Sequence, residues 1–398
     1  MGSRNQTISG RERLLTTLEH RQPDRVPYDL NGMQCTGIHV RAYRNLCEYL
    51  GLDPHPIRFA DIYQQIVIPK AELLHTLGVD VRGLYPLCSH NWDVRGTDRG
   101  DYLEHLDEWG FTQHYPREKG HWWSQVGFPL NGPSIELADI SAHPWPVPDD
   151  ARRIAGLREL ARQFHSAGYA VMVKGFCAGL FEMGQRLRGM ENFLCDLLLD
   201  PAKAGILLDK ILELKVRFWT MALDHLGDVV DIVAETDDYG TQESQLISYD
   251  TYSHIIAPRL RELMRFLKTT LAQKKKDGEK GYVFFHSCGN VRPFLPDFID
   301  MGIDIINPVH ISAAGMDPVG LKKDFGRDIT FWGGGVDTQN ILPGGRPDQV
   351  KENVKRNLEV FMPEGGYVFT TVHNIPAEVP PENIVAMWET LQEHGMYS

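Results

Sequence analysis

The sequence predicts an α/β protein built on a closed (β/α)8 barrel, and two observations lead to that prediction. Short runs of continuous apolar character recur along the 398-residue chain, and amphipathic, helix-like stretches separate them. Continuous rather than alternating apolar residues indicate strands that are covered on both faces, as in a parallel sheet flanked by helices. Eight such units favour a closed barrel, and a doubly wound open sheet is the alternative.

The eight runs define the expected strand order. They are "VPYDL" from Val26, "VDVRGL" from Val79, "YAVMVKG" from Tyr169, "DVVDIVAE" from Asp228, "YVFFHS" from Tyr282, "IDIINP" from Ile303, "DITFWGG" from Asp328 and "YVFTTVH" from Tyr367. Between about residues 88 and 150 the alternation gives way to aromatic, turn-rich segments. We interpret this region as an insertion of short antiparallel strands in the N-terminal half of one domain spanning residues 1–398.

Composition excludes several classes of protein. The formal net charge is −12 and basic runs such as Lys274-Lys275-Lys276 are brief, which argues against a nucleic-acid-binding surface. No window has the roughly 20 uncharged apolar residues that a membrane span requires, and the first residues show no apolar signal core. The six cysteines have no paired spacing. We therefore expect a cytoplasmic protein with neither nucleic-acid nor membrane partners.

The predicted strand ends carry residues suited to a metal site. His286 and Cys288 follow the fifth run and His373 ends the eighth. Because strand ends meet on one face of a parallel barrel, these three side chains are expected to converge. Zinc favours thiolate and imidazole, and a catalytic zinc site has three protein ligands and one open position. A histidine at a strand end can also be an ordinary hydrogen-bonding loop residue, and H-x-C alone is a weak pattern.

Other polar residues at these ends are candidates for substrate chemistry. Glu235 and Asp238, in "ETDDYG" after the fourth run, are predicted as the catalytic pair that orients substrate or handles a proton. The alternative is that such acidic residues cap a helix or stabilise a turn. Predicted substrate-binding residues are Asn31, Gln242, Asn307 and Trp332.

Several segments together resemble the uroporphyrinogen decarboxylase superfamily, and specifically its cobalamin-dependent methyltransferase branch. They include "RERLLTTLEHRQPDRVPYD", "GLFEMGQRLRGMENFLCDLLLDP", "HSCGNVRPFLPDFIDMGIDIINP" and "GGYVFTTVHNIPAEVPPENIVAM". The resemblance implies a (β/α)8 barrel with zinc bound by a His-x-Cys pair and a third ligand, usually cysteine, near the last strand. His286 and Cys288 match the pair, whereas His373 departs from the usual cysteine.

The resemblance also implies a function. Uroporphyrinogen decarboxylases carry an arginine-rich N-terminal segment for the substrate's carboxylates, and here the matching place reads "VPYDLNGMQCTG", without arginine. This favours a methyltransferase that moves a methyl group between a small substrate and the cobalt of a corrinoid, with an aryl methyl ether as one candidate substrate. The corrinoid signature D-x-H-x-x-G is absent, so a separate corrinoid-binding protein is the expected partner; a homodimer is one possible assembly. The alternatives are uroporphyrinogen decarboxylation and a non-catalytic barrel that binds a corrinoid or another ligand.

Overall fold

The computed structural model of the protein describes residues 8–89, 96–118 and 120–397. The predicted insertion includes residues 90–95 and 119, and the segment inspected for a signal sequence includes residues 1–7, so these parts lie outside the described residues. The strands are β1 (Phe59–Asp61), β2 (Ile66–Val67), β3 (Val81–Leu84), β4 (Thr97–Asp98), β5 (Tyr102–Leu106), β6 (Thr112–Pro116), β7 (Ser124–Gly127), β8 (Ala170–Lys174), β9 (Ile232–Thr236), β10 (Tyr282–His286), β11 (Ile305–Asn307), β12 (Thr330–Trp332) and β13 (Tyr367–Val368).

The central sheet is parallel and curls into a barrel, which confirms the predicted fold class. Its order is β3-β8-β9-β10-β11-β12-β13, so neighbours in sequence are neighbours in space. The first predicted run forms no strand of its own. Instead, Tyr28 makes a parallel bridge to Phe369, which follows β13. The Tyr28 carbonyl also accepts a hydrogen bond at 2.9 Å from the backbone N–H of Asp80, the residue before β3. The run therefore closes the ring between the last and first strands of the sheet.

The helices lie in the connections between the barrel strands. They are α1 (Gly10–Leu18), α2 (Val40–Tyr49), α3 (Ala71–Thr76), α4 (Leu137–Ala142), α5 (Leu157–Ser166), α6 (Leu180–Arg188), α7 (Met190–Leu199), α8 (Pro201–Leu226), α9 (Tyr249–Thr251), α10 (Ala257–Lys274), α11 (Leu295–Asp300), α12 (Pro318–Phe325), α13 (Ile341–Gly344), α14 (Pro347–Phe361) and α15 (Pro381–His394). Proline opens several of them, where its missing N–H removes no helical hydrogen bond.

Two apolar layers hold the barrel together. Side chains of a strand alternate between its faces, so Ile232 and Ala234 of β9 belong to the cluster inside the barrel while Val233 packs under the helices. Leu14 and Leu18 of α1 join the inner cluster at the amino end of the strands. Apolar side chains therefore fill the amino end of the barrel, and its open end lies at the carboxyl ends of the strands.

The predicted strand β3 contains a buried arginine, and the neighbours of that arginine explain why the strand still forms. Arg82 lies in β3 with 4% of its surface exposed. Its guanidinium stacks 3.6 Å from the centre of the Tyr169 ring and donates to the carbonyls of Val79 and Val81. These contacts satisfy the buried cation without a carboxylate.

The insertion contains the predicted antiparallel strands. β4, β5, β6 and β7 form a four-stranded antiparallel sheet in that order. Trp123, the residue before β7, donates its backbone N–H to the Tyr63 carbonyl at 2.7 Å, and the two aromatic rings pack edge to face. Tyr63 lies between β1 and β2, so the inserted sheet packs against that hairpin. Within the described part of the chain, no helix has both the length and the apolar character needed to span a bilayer.

Candidate metal centre

The structure brings together the three residues predicted to bind metal. One ligand atom from each of His286, Cys288 and His373 lies within 4.8 Å of the other two. His286 is the last residue of β10, Cys288 lies two residues beyond it, and His373 lies on the loop after β13. The Cys288 Sγ is 3.3 Å from the His286 Nε2, and the two imidazole rings are 5.2 Å apart between centroids.

Hydrogen bonds orient His286 as a ligand. The Nδ2 of Asn307 donates to the Trp332 carbonyl at 2.7 Å, which identifies the other amide atom of Asn307 as the oxygen. That oxygen lies 2.5 Å from the His286 Nδ1 and accepts its N–H. The proton is thereby held on Nδ1, and the Nε2 lone pair faces Cys288. A histidine whose second nitrogen is held in this way is typical of metal sites.

His373 is held by a comparable arrangement. Its Nδ1 is 2.7 Å from the Asn374 side-chain oxygen, which leaves Nε2 for a metal. The Asn374 amide in turn lies 3.4 Å from the Gln64 side-chain oxygen, on the turn between β1 and β2. His373 has a φ of 65°, a left-handed conformation that costs energy for a residue with a Cβ. The chain adopts this conformation at the residue whose ring completes the cluster.

Two glycines let the loops after β9 and β10 approach each other beside Cys288. Gly289 has a φ of 78°, and a Cβ on it would lie 2.5 Å from the Gly240 carbonyl carbon. A Cβ on Gly240 would lie 2.7 Å from the Cys288 carbonyl oxygen. Neither contact is tolerable for a larger residue. Gly289, which follows the H-x-C pair, therefore allows the close approach of the two loops that positions Cys288.

Burial keeps the three candidate ligands in their neutral forms. It lowers the pKa of His286 and of His373, and the neighbouring His286 lowers that of His373 further. Burial also raises the pKa of the Cys288 thiol well above its ordinary value, and the nearby Asp238 adds to this effect. Both imidazoles are thus ready to bind metal, whereas the thiol must lose a proton when metal arrives.

The donor set and its spacing fit zinc. Around a tetrahedral zinc with bond lengths of roughly 2.0–2.3 Å, ligand atoms lie roughly 3.3–3.8 Å apart. The Cys288 and His286 atoms, at 3.3 Å, already have this separation, and the full cluster needs only a small contraction. Two imidazoles and one thiolate leave a fourth position open, as in a catalytic site.

Of the two predicted catalytic carboxylates, the structure places only Asp238 beside the cluster. Its Oδ1 accepts the Cys288 N–H at 2.7 Å and lies 3.8 Å from the His286 Nε2. Burial raises its pKa. Asp237, its neighbour, instead accepts the N–H groups of Phe181 and Glu182 at 2.9 Å each, so it caps the amino end of α6.

The position of Glu235 departs from the expectation. Its carboxylate points away from the barrel axis, where it pairs with Lys215 at 2.6 Å and accepts the Trp219 indole N–H. All three side chains are buried, and Lys215 and Trp219 belong to α8. Because Ala234 takes the inward position on β9, Glu235 must face outward. Its role in the fold is an internal ion pair.

The four predicted substrate-binding residues lie in different surroundings. Asn307 supports His286, and the Trp332 indole donates to Asp29 at 2.9 Å inside the barrel. The Gln242 amide lies 3.2 Å from the His310 Nε2 on neighbouring loops. Asn31 is almost fully buried, and its carbonyl accepts the Tyr85 hydroxyl at 2.5 Å. Among the described residues, no hydrogen bond joins Asn31 to the metal cluster.

Sequence reasoning missed Glu182, on the first turn of α6. Its carboxylate lies 3.4 Å from the Thr236 hydroxyl at the end of β9. That contact places Glu182 at the mouth of the barrel. Burial raises its pKa, and the negative charge of Asp238 raises it further. The signal in the sequence is the acid in "GLFEMG", which lies in the first turn of the helix that follows the strand run "YAVMVKG".

Comparison with known proteins identifies the family. Residues 125–394 match the family model described as "Uroporphyrinogen decarboxylase (URO-D)". This stretch covers well over half of the chain. The chain belongs to the uroporphyrinogen decarboxylase family. The family-matched region contains β8 to β13 and all three residues of the metal cluster.

Individual relatives of this uroporphyrinogen decarboxylase family member agree with that assignment. It is 34% identical over 91 residues to "Uroporphyrinogen decarboxylase" from Azoarcus sp. and from Aromatoleum aromaticum. The matched part is 21% of this chain and 25% and 26% of those two proteins, so the chain aligns with about a quarter of their length. A solved structure, "methyltransferase from Methanosarcina mazei", superposes with a TM-score of 0.62 at 18% identity, covering 97% of this chain and 99% of that one. At that identity the likeness concerns the barrel fold.

Proposed function

We propose that this family member is a zinc-dependent methyltransferase that moves a methyl group between a small substrate and the cobalt of a corrinoid. The convergence of His286, Cys288 and His373 is the observation that supports this proposal most directly. A mononuclear site with two imidazoles, one thiolate and an open position suits the activation of a substrate atom. Bound zinc would supply a Lewis acid at the mouth of the barrel.

The charge of the ligand set favours an ether substrate. Two neutral imidazoles and one thiolate would leave a net charge of +1 on a zinc site, more electrophilic than one with two thiolates. Such a site polarises a neutral ether oxygen better than it activates a bound thiolate. We therefore infer demethylation of a methyl ether, with an aryl methyl ether as one candidate.

Asp238 is the protein group best placed to manage the proton of this reaction. Its Oδ1 is engaged by the Cys288 N–H, and burial raises its pKa. A raised pKa favours the protonated form of the carboxyl, which would pass its proton to the oxygen that methyl loss leaves negatively charged. Glu182, beside Thr236, is a second carboxyl with a raised pKa at the same mouth.

We infer that the corrinoid is carried by another protein. The chain lacks the D-x-H-x-x-G corrinoid signature. A corrinoid-binding partner would need to reach the open end of the barrel, where the candidate ligands lie, because the amino end is filled by α1. Cytoplasmic location and a homodimeric state stay predictions of the sequence.

The decisive experiment is a methyl-transfer assay. Zinc-loaded protein is mixed with cob(I)alamin or a reduced corrinoid protein and a panel of methyl ethers, methylamines and methyl thiols, and methyl-cobalt is followed by its absorption spectrum. We expect methyl-cobalt from ethers, loss of the signal in Cys288→Ala, and retention in Cys195→Ala, whose thiol is exposed on α7. If no donor yields methyl-cobalt, the methyltransferase proposal fails and a non-catalytic binding barrel is favoured.

A second candidate function is uroporphyrinogen decarboxylation, which the names of the two curated relatives favour. A polyanionic tetrapyrrole needs several fixed cations, and "VPYDLNGMQCTG" has none. We expect no conversion of uroporphyrinogen to coproporphyrinogen. Turnover that persists in the presence of a chelator would favour the decarboxylase.

A further inference from the structure

Lys174, the last residue of β8, faces the inside of the barrel mouth. Ala170 and Met172 of the same strand belong to the cluster inside the barrel, and side chains two residues apart share a face. The ammonium group must therefore lie on the same side. Burial raises the pKa of the Cys35 thiol in that inner cluster, and the positive charge of Lys174 partly opposes this effect.

In the part of the chain that the structure describes, the Lys174 side chain has neither the carboxylate partner that several buried cations have nor the carbonyl and ring contacts that satisfy Arg82. Lys215 pairs with Glu235, Arg153 pairs with Glu108, and Arg188 pairs with Asp196, each at 2.6–2.7 Å. Across the described residues, the Lys174 side chain forms neither an ion pair nor a hydrogen bond, although it is only partly exposed. A partly exposed ammonium without a partner in the protein is available to bind an anion through a charge-assisted hydrogen bond.

Lys174 and the metal cluster lie on the same mouth with one strand between them. Lys174 is in register with Ala234 of β9, and His286 of β10 is in register with Thr236. Two strand spacings of about 4.8 Å and a register offset of two residues, about 6.6 Å along the strand, separate Lys174 from His286 by roughly 12 Å between backbones. The intervening inward side chain level with Lys174 is that of Ala234, which is small. A small flat molecule could therefore reach from the metal cluster to the ammonium group.

We propose that Lys174 binds an anionic group of the substrate, so that the substrate is a methyl ether that also carries a carboxylate. The inference rests on the proposed function and narrows its substrate class. In this arrangement the ether oxygen faces His286, Cys288 and His373, and the carboxylate accepts from the Lys174 ammonium across the mouth. A benzene ring that bears the two groups at separate carbons spans the distance between them.

Binding measurements test the proposal without corrinoid chemistry. The ligands are the three positional isomers of methoxybenzoate and the matching methoxybenzamides, which differ in charge but little in shape. Each is titrated calorimetrically into zinc-loaded wild-type protein, Lys174→Met, Lys174→Arg and Lys351→Met. Lys351 is a control lysine on α14, in the outer helix layer, where it pairs with Glu389.

We expect the wild type to bind at least one methoxybenzoate about tenfold or more tightly than its amide, because a charge-assisted hydrogen bond is lost in the neutral ligand. Lys174→Met should abolish that preference, Lys174→Arg should keep part of it, and Lys351→Met should keep all of it. Zinc content should be unchanged in every variant, which shows that the metal cluster is intact.

Two results would overturn the proposal. One is a wild type that binds no benzoate more tightly than its amide, and the other is an undiminished preference in Lys174→Met. The methyl-transfer assay separates the two proposals. Benzoate binding that depends on Lys174 without methyl transfer rejects the proposed function alone, whereas transfer from neutral ethers without an anion preference rejects the inference alone.

Discussion

The two ends of the barrel differ in whether their charged side chains have partners within the protein. At the amino end, three carboxylates each stand one residue before a strand, accept a backbone N–H from the neighbouring segment, and pair with a cation. Asp80 accepts from Tyr28 and pairs with Arg13 at 2.7 Å; Asp231 accepts from Val171 and pairs with Arg11; Asp304 accepts from Val283 and pairs with Lys268. These charges hold the strands and α1 together.

At the carboxyl end, polar groups are left available. Lys174 has no charged partner in the described structure, and His286, Cys288 and His373 direct ligand atoms at one another. The same difference is general in (β/α)8 barrels, in which residues at the amino end contribute to stability and residues at the carboxyl end contribute to function. Charged side chains that are paired within the protein stabilise the scaffold, and polar side chains without such partners indicate the candidate binding site.

The largest expected effect is on stability, at the amino end. Asp80→Ala leaves the Arg25 guanidinium without a carboxylate partner and the buried Tyr28 N–H without its acceptor. Arg13 loses one of its two carboxylate partners and keeps Asp24. We expect the free energy of unfolding, measured with urea, to fall by about 3–5 kcal/mol. The zinc affinity of the folded protein should not change. Asp348→Ala, which removes an exposed pair with Arg346, is the control and should have little effect on stability. Equal losses in both variants would contradict the comparison.

The next effect is on metal binding, at the carboxyl end. Cys288→Ala leaves two imidazoles for zinc, so we expect the dissociation constant, measured by chelator competition, to rise about a hundredfold or more. Cys195→Ala removes an exposed thiol and should bind zinc as the wild type does. Full zinc affinity in Cys288→Ala would place the metal elsewhere.

A smaller effect is expected when the support of His286 is removed. Asn307→Leu deletes the oxygen that holds the Nδ1 proton, so the imidazole can rotate and adopt the wrong tautomer. Zinc affinity should fall about 10- to 100-fold. Asn383→Leu removes another buried amide, on α15, whose bonds go to the carbonyls of Leu342 and Gly345. That control should change stability without changing zinc affinity.

The smallest effect is the pH dependence of zinc binding. Burial raises the pKa of Cys288 and lowers the pKa of both histidines, so at neutral pH the free site holds a protonated thiol and neutral imidazoles. Zinc binding should release one proton, and affinity should rise about tenfold per pH unit between pH 6.5 and 8. Calorimetry in buffers of different ionisation enthalpy measures this number directly. Release of two protons, or none, would show that the ligand set is different.

Much of the candidate site could be predicted from residue type and position. His286 and Cys288 end an apolar run, and His373 ends another, so a parallel barrel had to bring them near one another. Asp238 follows from the same reasoning. Glu235, three residues earlier, could not be assigned correctly, because the run "DVVDIVAE" is apolar on both faces and does not reveal which residues point inward.

The sequence by itself determined the strand and helix units after the first predicted run, their parallel order and the chemistry at the strand ends, because these depend on local periodicity and on residue type. Only the tertiary structure decided the direction and the pairing of the charged side chains. A shift of one residue along β9 exchanges Ala234 and Glu235 between the two faces. Lys215 meets Glu235 while Lys174 meets no carboxylate among the described residues. Such pairing depends on which segments, distant in sequence, lie close together in the folded barrel.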